Sequence, residues 1–282
     1  MRIAWIADYK LSEHLGGAQH TNAKMIEYGE GLGYNIIQIE PRAFDCGFEA
    51  DLVIINNIMN FRIEDIIKVA QRIPTIRYEH DRECSIKYPQ IYDYTIQNIF
   101  LSPLHKSICE GNAKKELKGV CIPSPIDSSV FNLEGVEKEK DSVLWVGSVE
   151  PHKGFDKVVE YAKEYPQKRF YIVSFDYKEQ ELPSNMEFLG EKHGSELALV
   201  YKKCEELYHH PQHEAFGRTV MEAYLCGCKL NVNENVGAMS YDWDFNDYEL
   251  IKNKLYSEPV FWGEIFKYLP NNEKGSNNTE QQ

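Results

Sequence analysis

The stretch "HPQHEAFGRTVMEAYLCG", His210 to Gly227, decides how the rest of the chain is read. Pro211 disfavours a helix before it, and Gly217 opens one whose apolar residues continue until Gly227 supplies a stop. A glycine at 217 lets backbone approach a ligand closely. The free N–H groups and dipole of the helix start that follows favour an anion such as phosphate. Glu214 precedes that helix start and Glu222 sits on the helix itself. A carboxylate is a poor phosphate ligand but a good acceptor for sugar hydroxyls, as the acidic residue is for ribose in dinucleotide folds. The pair therefore suits a ligand carrying both phosphate and hydroxyls. The same residues also fit an ordinary surface helix with Arg218 and Glu222 paired at i, i+4.

Outward from this stretch, short apolar runs alternate with segments of helical spacing. "RIAWIA" is followed by a glycine loop and a helical segment from Gln19 to Leu32; "YNIIQIE", "ADLVIINNI", "IPTIRYEH" and "QNIFLSP" continue the strands, with a helix predicted over Ile63 to Arg72. "GVCIPSPIDSSVFN" interrupts this rhythm with two prolines, and the polar "LEGVEKEKD" reads as a crossing between domains. The alternation then restarts at "SVLWVGS" and runs through "GFDKVVEYAKEY", "RFYIVSF", "MEFLG", "SELALVYKKC", "EELYHHP" and "KLNVNEN" to one or two closing helices. Strand alternating with helix predicts two doubly wound α/β domains with parallel sheets. The expected boundaries are 1–125 for the first domain, 126–269 for the second with the closing helices, and 270–282 as a disordered polar tail.

The net charge of −13 over 282 residues argues against nonspecific binding to a polyanion. The excess is uneven: residues 1–125 hold 14 Lys/Arg against 16 Asp/Glu, whereas 126–282 hold 17 against 28. The seven cysteines form no CxxC pair, and no run of eighteen apolar residues or signal peptide is visible, so reduced thiols and a cytoplasmic location are expected.

A second motif, "VLWVGSVEPHKGFDKVVEYA", puts Gly147 at a strand end and Lys153-Gly154 at the opening of a helix, where a lysine can neutralise phosphate as a point charge. A solvated loop lysine explains the same spacing, which is neither a dinucleotide fingerprint nor a P-loop. In order along the chain, "GGAQ", "IPSPID" with a following Phe, "VGSVEPHKG" and "HEAFGRTVMEAYLCGCKLNVNENVGA" together resemble the signatures of GT-B retaining glycosyltransferases, glycosyltransferase family 4. The resemblance covers Arg2 to about Ala238, and the two glutamates in E-x-F-G context are its most specific part.

That resemblance implies two Rossmann-like domains facing across a cleft, the second holding a nucleotide-diphosphate sugar as donor substrate and the first shaping the acceptor site, with no tightly bound cofactor and no metal. Carried over by position, Glu214 faces the donor sugar's hydroxyls and Lys153 meets the diphosphate. Phe216, Gly217 and Thr219 lie at the sugar and phosphates with Gly147 and Ser148, and Glu222 binds the nucleotide ribose. Gly16 and Gly17 let the first loop approach the reaction centre. His80, in "RYEHD", matches a front-domain histidine beside the transferred sugar. One departure matters: the family usually has an arginine where this chain has Ser148, and Arg218 is the candidate substitute. Losing one charge-assisted contact costs about 1.5–3 kcal/mol.

The acceptor expected is a hydroxyl of a glycan, a lipid-linked saccharide or a small molecule. A second reading is glycosylation of modified bases in DNA, prompted by Arg72, Arg77, Arg82 and Lys87 with Lys114, Lys115 and Lys118, charges that also fit a solvated face. A third is a non-catalytic nucleotide-sugar binding module, prompted by Ser148. "YHHPQHE" resembles a metal-binding tract only superficially, because Pro211 prevents a helical ligand pair.

Overall fold

The computed structural model describes residues 1–10, 12, 16–176 and 182–269. The tail expected at 270–282 lies outside the described residues. The described residues divide into two compact units, 1–125 with 257–269, and Ile126–Tyr256.

The first unit is built on six parallel strands: β1 (Arg2–Ile6), β2 (Asn35–Ile39), β3 (Leu52–Ile55), β4 (Thr75–Tyr78), β5 (Gln97–Phe100) and β6 (Val120–Cys121). They lie in the order β2-β1-β3-β4-β5-β6. All four residues of each of β3, β4 and β5 are buried, as expected of central strands covered on both faces. Helices α1 (Gly17–Gly31), α2 (Ile63–Arg72), α3 (Glu83–Lys87) and α4 (Pro103–Ala113) connect them. α2 has the limits predicted for it. Ile63, Ile66 and Val69 share its buried face, Glu64 and Asp65 suit the positive end of its dipole, and Arg72 suits the negative end.

The second unit holds five parallel strands: β7 (Glu139–Val146), β8 (Arg169–Val173), β9 (Met186–Phe188), β10 (Cys204–His209) and β11 (Lys229–Val232), in the order β11-β10-β7-β8-β9. Its helices are α5 (Phe155–Glu164), α6 (Gly194–Lys203), α7 (Arg218–Leu225) and α8 (Tyr248–Leu255). Val158 and Ala162 of α5 are buried against Val143, Trp145, Phe170 and Ile172 of the sheet. Consecutive strands turn away in opposite directions at two places, between β1 and β3 and between β7 and β10. In doubly wound sheets such switch points leave a crevice at the carboxyl ends of the strands, where ligands bind.

The second domain, expected to reach residue 269, ends earlier. The last helix, α9 (Glu258–Phe266), packs in the first unit. Trp262 explains why: its ring stacks on Tyr34 with centroids 5.3 Å apart and its Nε1–H donates to the Met25 carbonyl at 2.8 Å. The indole occupies the space left by Gly29 on α1, where a Cβ would lie 2.0 Å from it. Gln97 Nε2 donates to Glu264 Oε1 at 2.6 Å, and Phe261 packs 4.7 Å from the ring of Tyr78. All seven cysteines are free thiols.

The basic cluster noted in the sequence is not a continuous face. Arg77 is fully buried in β4, where Nε and Nη2 donate to Glu79 at 2.8 and 2.5 Å and Nη1 to the Asn56 carbonyl; Tyr92 Oη adds a 2.6 Å bond to Glu79. Arg72 is turned onto the carbonyls of Cys46 and Phe48, and Lys115 pairs with Asp93. A strand flanked by helices buries both faces, so a charge on β4 can persist only with full pairing.

Candidate functional site

The two motifs of the second unit meet at its switch point. The loop after β7 carries Gly147, Ser148 and Lys153; the loop after β10 carries Glu214, Phe216 and Gly217. Two backbone approaches join them. Gln212 N donates to the His152 carbonyl at 2.8 Å, and Gly154, at φ +75°, packs so closely that a Cβ would lie 2.2 Å from the His210 carbonyl oxygen. Only glycine tolerates both that φ and that proximity.

Lys153 and Glu214 are consequently in contact: Lys153 Nζ donates to Glu214 Oε2 at 2.7 Å, both side chains being partly buried. Backbone bonds fix the glutamate from the other side, with Glu214 N donating to the Asn235 carbonyl and Gly237 N to the Glu214 carbonyl, each at 2.9 Å. His209, buried at the end of β10, brings Nε2 to 3.7 Å from the same Oε2. Burial alone would raise the carboxyl's pKa, but Lys153 and then His209 outweigh it and hold Glu214 well below the usual carboxylate range.

Gly217 precedes α7 in the left-handed region at φ +92°, and a Cβ there would meet Val236 Cγ1 at 2.7 Å. Phe216 is buried beneath it, and Ala238 N donates to the Phe216 carbonyl at 2.7 Å. The start of α7 thus directs backbone N–H groups and a positive dipole end beside Lys153 and Glu214's loop, an arrangement suited to phosphate. Thr219 follows on the first turn, half-buried.

Glu222 is 7% exposed, and its carboxylate receives Arg218 Nη2 at 3.2 Å and Tyr201 Oη at 3.4 Å. The i, i+4 pair anticipated for an ordinary helix is therefore present, but as a buried one. Burial dominates here and pushes the Glu222 carboxyl up, with Arg218 offsetting it only in part. Ser148 is half-buried beside an acidic neighbour, since Val149 N donates to Asp176 Oδ1 at 2.9 Å.

Gly16, Gly17 and His80 lie in the first unit. Gly16 precedes α1 and Gly17 begins it, both at ordinary negative φ or in helix. His80 follows β4, is buried, and packs edge-on against Tyr78 with ring centroids 4.4 Å apart. His210, in the histidine tract, stacks on Tyr208 at 4.3 Å and contacts Asn231 Oδ1 at 2.9 Å. Among the described residues, one trio, Glu79, Asp81 and Cys84, groups metal-ligating atoms within 4.8 Å. Arg77 and Tyr92 already occupy both Glu79 oxygens.

The sequence reading missed His209. Its signal was position alone: a histidine at the carboxyl end of β10, where the loop carrying Glu214 begins.

Residues 130–240, all within the second unit, match the family model described as glycosyl transferases group 1. No curated protein matches the chain. Among solved structures, the chain is similar to sucrose-phosphate synthase from Thermosynechococcus elongatus, with 13% identity, 94% of this chain and 98% of that one covered and a TM-score of 0.72. It is also similar to HepE from Anabaena in complex with UDP and glucose, at 14% identity, 94% and 95% coverage and a TM-score of 0.61. A third is an α-glucosyltransferase in complex with UDP and a 13-mer DNA containing an HMU base, at 13% identity, 95% and 99% coverage and a TM-score of 0.61. These likenesses establish the GT-B fold.

Proposed function

We propose that this protein moves a sugar from a nucleoside-diphosphate sugar to a hydroxyl acceptor, with retention at the anomeric carbon. The observation that carries the reading is the Lys153–Glu214 pair at the β7/β10 switch point, beside the start of α7. A cation and a helix N-terminus match the charge that develops on a departing diphosphate, which is where transition-state stabilisation is needed. Glu214 takes hydroxyls of the transferred sugar, and Glu222 takes those of the ribose. Glu214 is not assigned as a nucleophile: nucleoside diphosphate is already a good leaving group, and a carboxylate bound to Lys153 is a weakened one.

In this scheme the acceptor attacks on the face from which the diphosphate leaves, and a leaving phosphate oxygen takes the acceptor's proton. His80 orients sugar or acceptor. Arg218 replaces the family's missing cation at Ser148. Neighbouring structures hold UDP, which makes UDP-sugars the first donors to try. A cytoplasmic location is supported by the seven free thiols, and no described helix is long and apolar enough to cross a membrane.

The test is thermal stabilisation across a panel of nucleoside-diphosphate sugars, followed by assay of nucleoside diphosphate released without acceptor. Stabilisation by one donor with slow release is expected. If no donor stabilises the protein or is hydrolysed, the transferase reading fails. Stabilisation without release favours the binding-module reading, and salt-sensitive binding of base-modified DNA favours the DNA-modifying one.

A further inference from the structure

His209 belongs to neither motif, yet it stands beside the pair they form. It is the last residue of β10, 2% exposed, and neither ring nitrogen has a hydrogen-bond partner among the described residues. Nε2 lies 3.7 Å from Glu214 Oε2, the oxygen that accepts from Lys153 Nζ at 2.7 Å. That separation is beyond a hydrogen bond, and a small shift of either side chain closes it. Glu214 therefore has one permanent cation in contact and one titratable ring within reach.

Among the described residues, the charged groups of the neighbouring elements are engaged elsewhere or exposed. His209 is in register with Val232 on β11, and the adjacent end of β7 is the apolar run from Val143 to Val146. On β10 itself Glu205 and Glu206 pair with Lys229 and Lys168. On α7 Arg218 and Glu222 pair with each other; on α6 Lys202 Nζ donates to Asn132 and Lys203 Nζ to Tyr171. Glu196 and Glu234 are exposed. In the loops, His152 contacts Glu150 and packs its ring 6.1 Å from that of His213.

The two halves of the Lys153–Glu214 pair differ in freedom. Glu214 is anchored by backbone bonds on both sides, to Asn235 and from Gly237, whereas Lys153 ends a flexible four-carbon stem that is 28% exposed. A diphosphate arriving beside α7 draws the lysine, not the glutamate. A carboxylate left partly buried without its counter-charge is strongly unfavourable, and an imidazole at this distance removes the deficit by accepting a proton.

We propose that His209 is a positioning residue: it takes up a proton and replaces Lys153 as the partner of Glu214 when a diphosphate engages the lysine, so that Glu214 stays ionised and in place for the sugar. The diphosphate rests on the transferase reading; the exchange of partners does not. Linkage fixes the sign. Binding that takes up a proton strengthens as pH falls, by at most about tenfold per pH unit for one proton.

Calorimetric titration of the full-length chain with UDP at pH 7.5, in buffers of different ionisation enthalpy, counts the protons exchanged. The terminal phosphate of UDP, titrating near about pH 6, is already ionised there. The parent should take up a measurable fraction of a proton, with affinity falling between pH 7 and pH 8.5. His209→Asn, with the parent's urea midpoint, should take up none and show a flat profile. No uptake by the parent, or equal uptake by His209→Asn, would overturn the inference, the second by placing the proton on Glu214.

Lys153→Met tests the exchange without any ligand. In an NMR titration its His209 ring should hold a proton to a pH about one unit higher than in the parent, and adding Glu214→Gln should return it to the parent's behaviour. If UDP fails to bind while that rise is seen, the exchange of partners stands and a diphosphate at Lys153 is rejected. If UDP binds and the rise is missing, the reverse holds.

Discussion

Replacing Glu214 with Gln keeps the shape of the side chain and removes its charge, and the geometry requires two effects of opposite sign. Lys153 Nζ, 2.7 Å from Glu214 Oε2, is attracted by several kcal/mol gross at the effective dielectric of a protein site. A competing diphosphate must displace that carboxylate or share the lysine with it. The net value of such a charged hydrogen bond is about 1.5–3 kcal/mol, and glutamine retains part of it through its carbonyl. The released fraction is about 1 kcal/mol, so nucleoside diphosphate should bind roughly fivefold more tightly to the variant. The transferred sugar, in contrast, loses a charged acceptor for its hydroxyls. That loss of about 1.5–3 kcal/mol lowers kcat/KM for the intact donor by roughly 10- to 150-fold.

Isothermal titration with the nucleoside diphosphate that stabilises the parent protein, paired with rates of its release from the cognate donor, measures both effects. A misfolded variant weakens both, and a spectator glutamate changes neither. Weaker diphosphate binding alongside slower turnover, in a variant that keeps the parent's urea unfolding midpoint, would refute the idea that Glu214 holds Lys153 in reserve for the phosphates.

Arg218→Met should weaken nucleoside diphosphate binding about tenfold, and adding Ser148→Arg should restore most of it; calorimetric titration of both variants checks whether the two positions serve one charge. Gly29→Ala should lower stability by about 1–3 kcal/mol in urea unfolding, because displacement of Trp262 outweighs the gain in helix propensity, which is at most about 1 kcal/mol. Glu222→Gln should raise the urea midpoint at pH 7 and hardly change it near pH 4, while weakening the donor. A carboxyl whose folded pKa is raised costs stability above that value and costs nothing below the unfolded one.

The sheets were legible because their strands are short apolar runs whose pattern does not depend on distant partners. α2 is the clearest case: Ile63, Ile66 and Val69 recur on one face, and its end charges match the dipole. The placement of α9 was not legible. Trp262 is matched to Gly29, Met25 and Tyr34, residues more than two hundred positions earlier, and nothing local in "EPVFWGEIF" names them. Arg77 misled for a related reason. As a charge in the sequence it suggested a surface, and only its long-range bond to Asn56 and its pairing with Glu79 and Tyr92 permit its burial. At the donor side, the motif located Lys153, Glu214 and Glu222, but the Lys153–Glu214 bond depends on the approach of Gly154 to His210, which spacing does not encode.

Glu214 and Glu222 are eight positions apart and chemically identical, yet the fold treats them in opposite ways. Lys153 and His209 depress Glu214's pKa, so its ion pair adds stability above the ordinary carboxylate range and loses it as pH falls through the depressed folded value. Burial raises Glu222's, so its charge lowers stability at neutral pH even with Arg218 beside it. A carboxylate that stabilises its surroundings has a structural reason to be there. One held buried at a net cost does not, and glutamine would fit the same space, accepting from Arg218 through its carbonyl and donating to Tyr201 Oη through its amide. A hydroxyl-bearing ribose would supply Glu222 with the partners that offset its burial, which supports its assignment beside the Lys153–Glu214 pair.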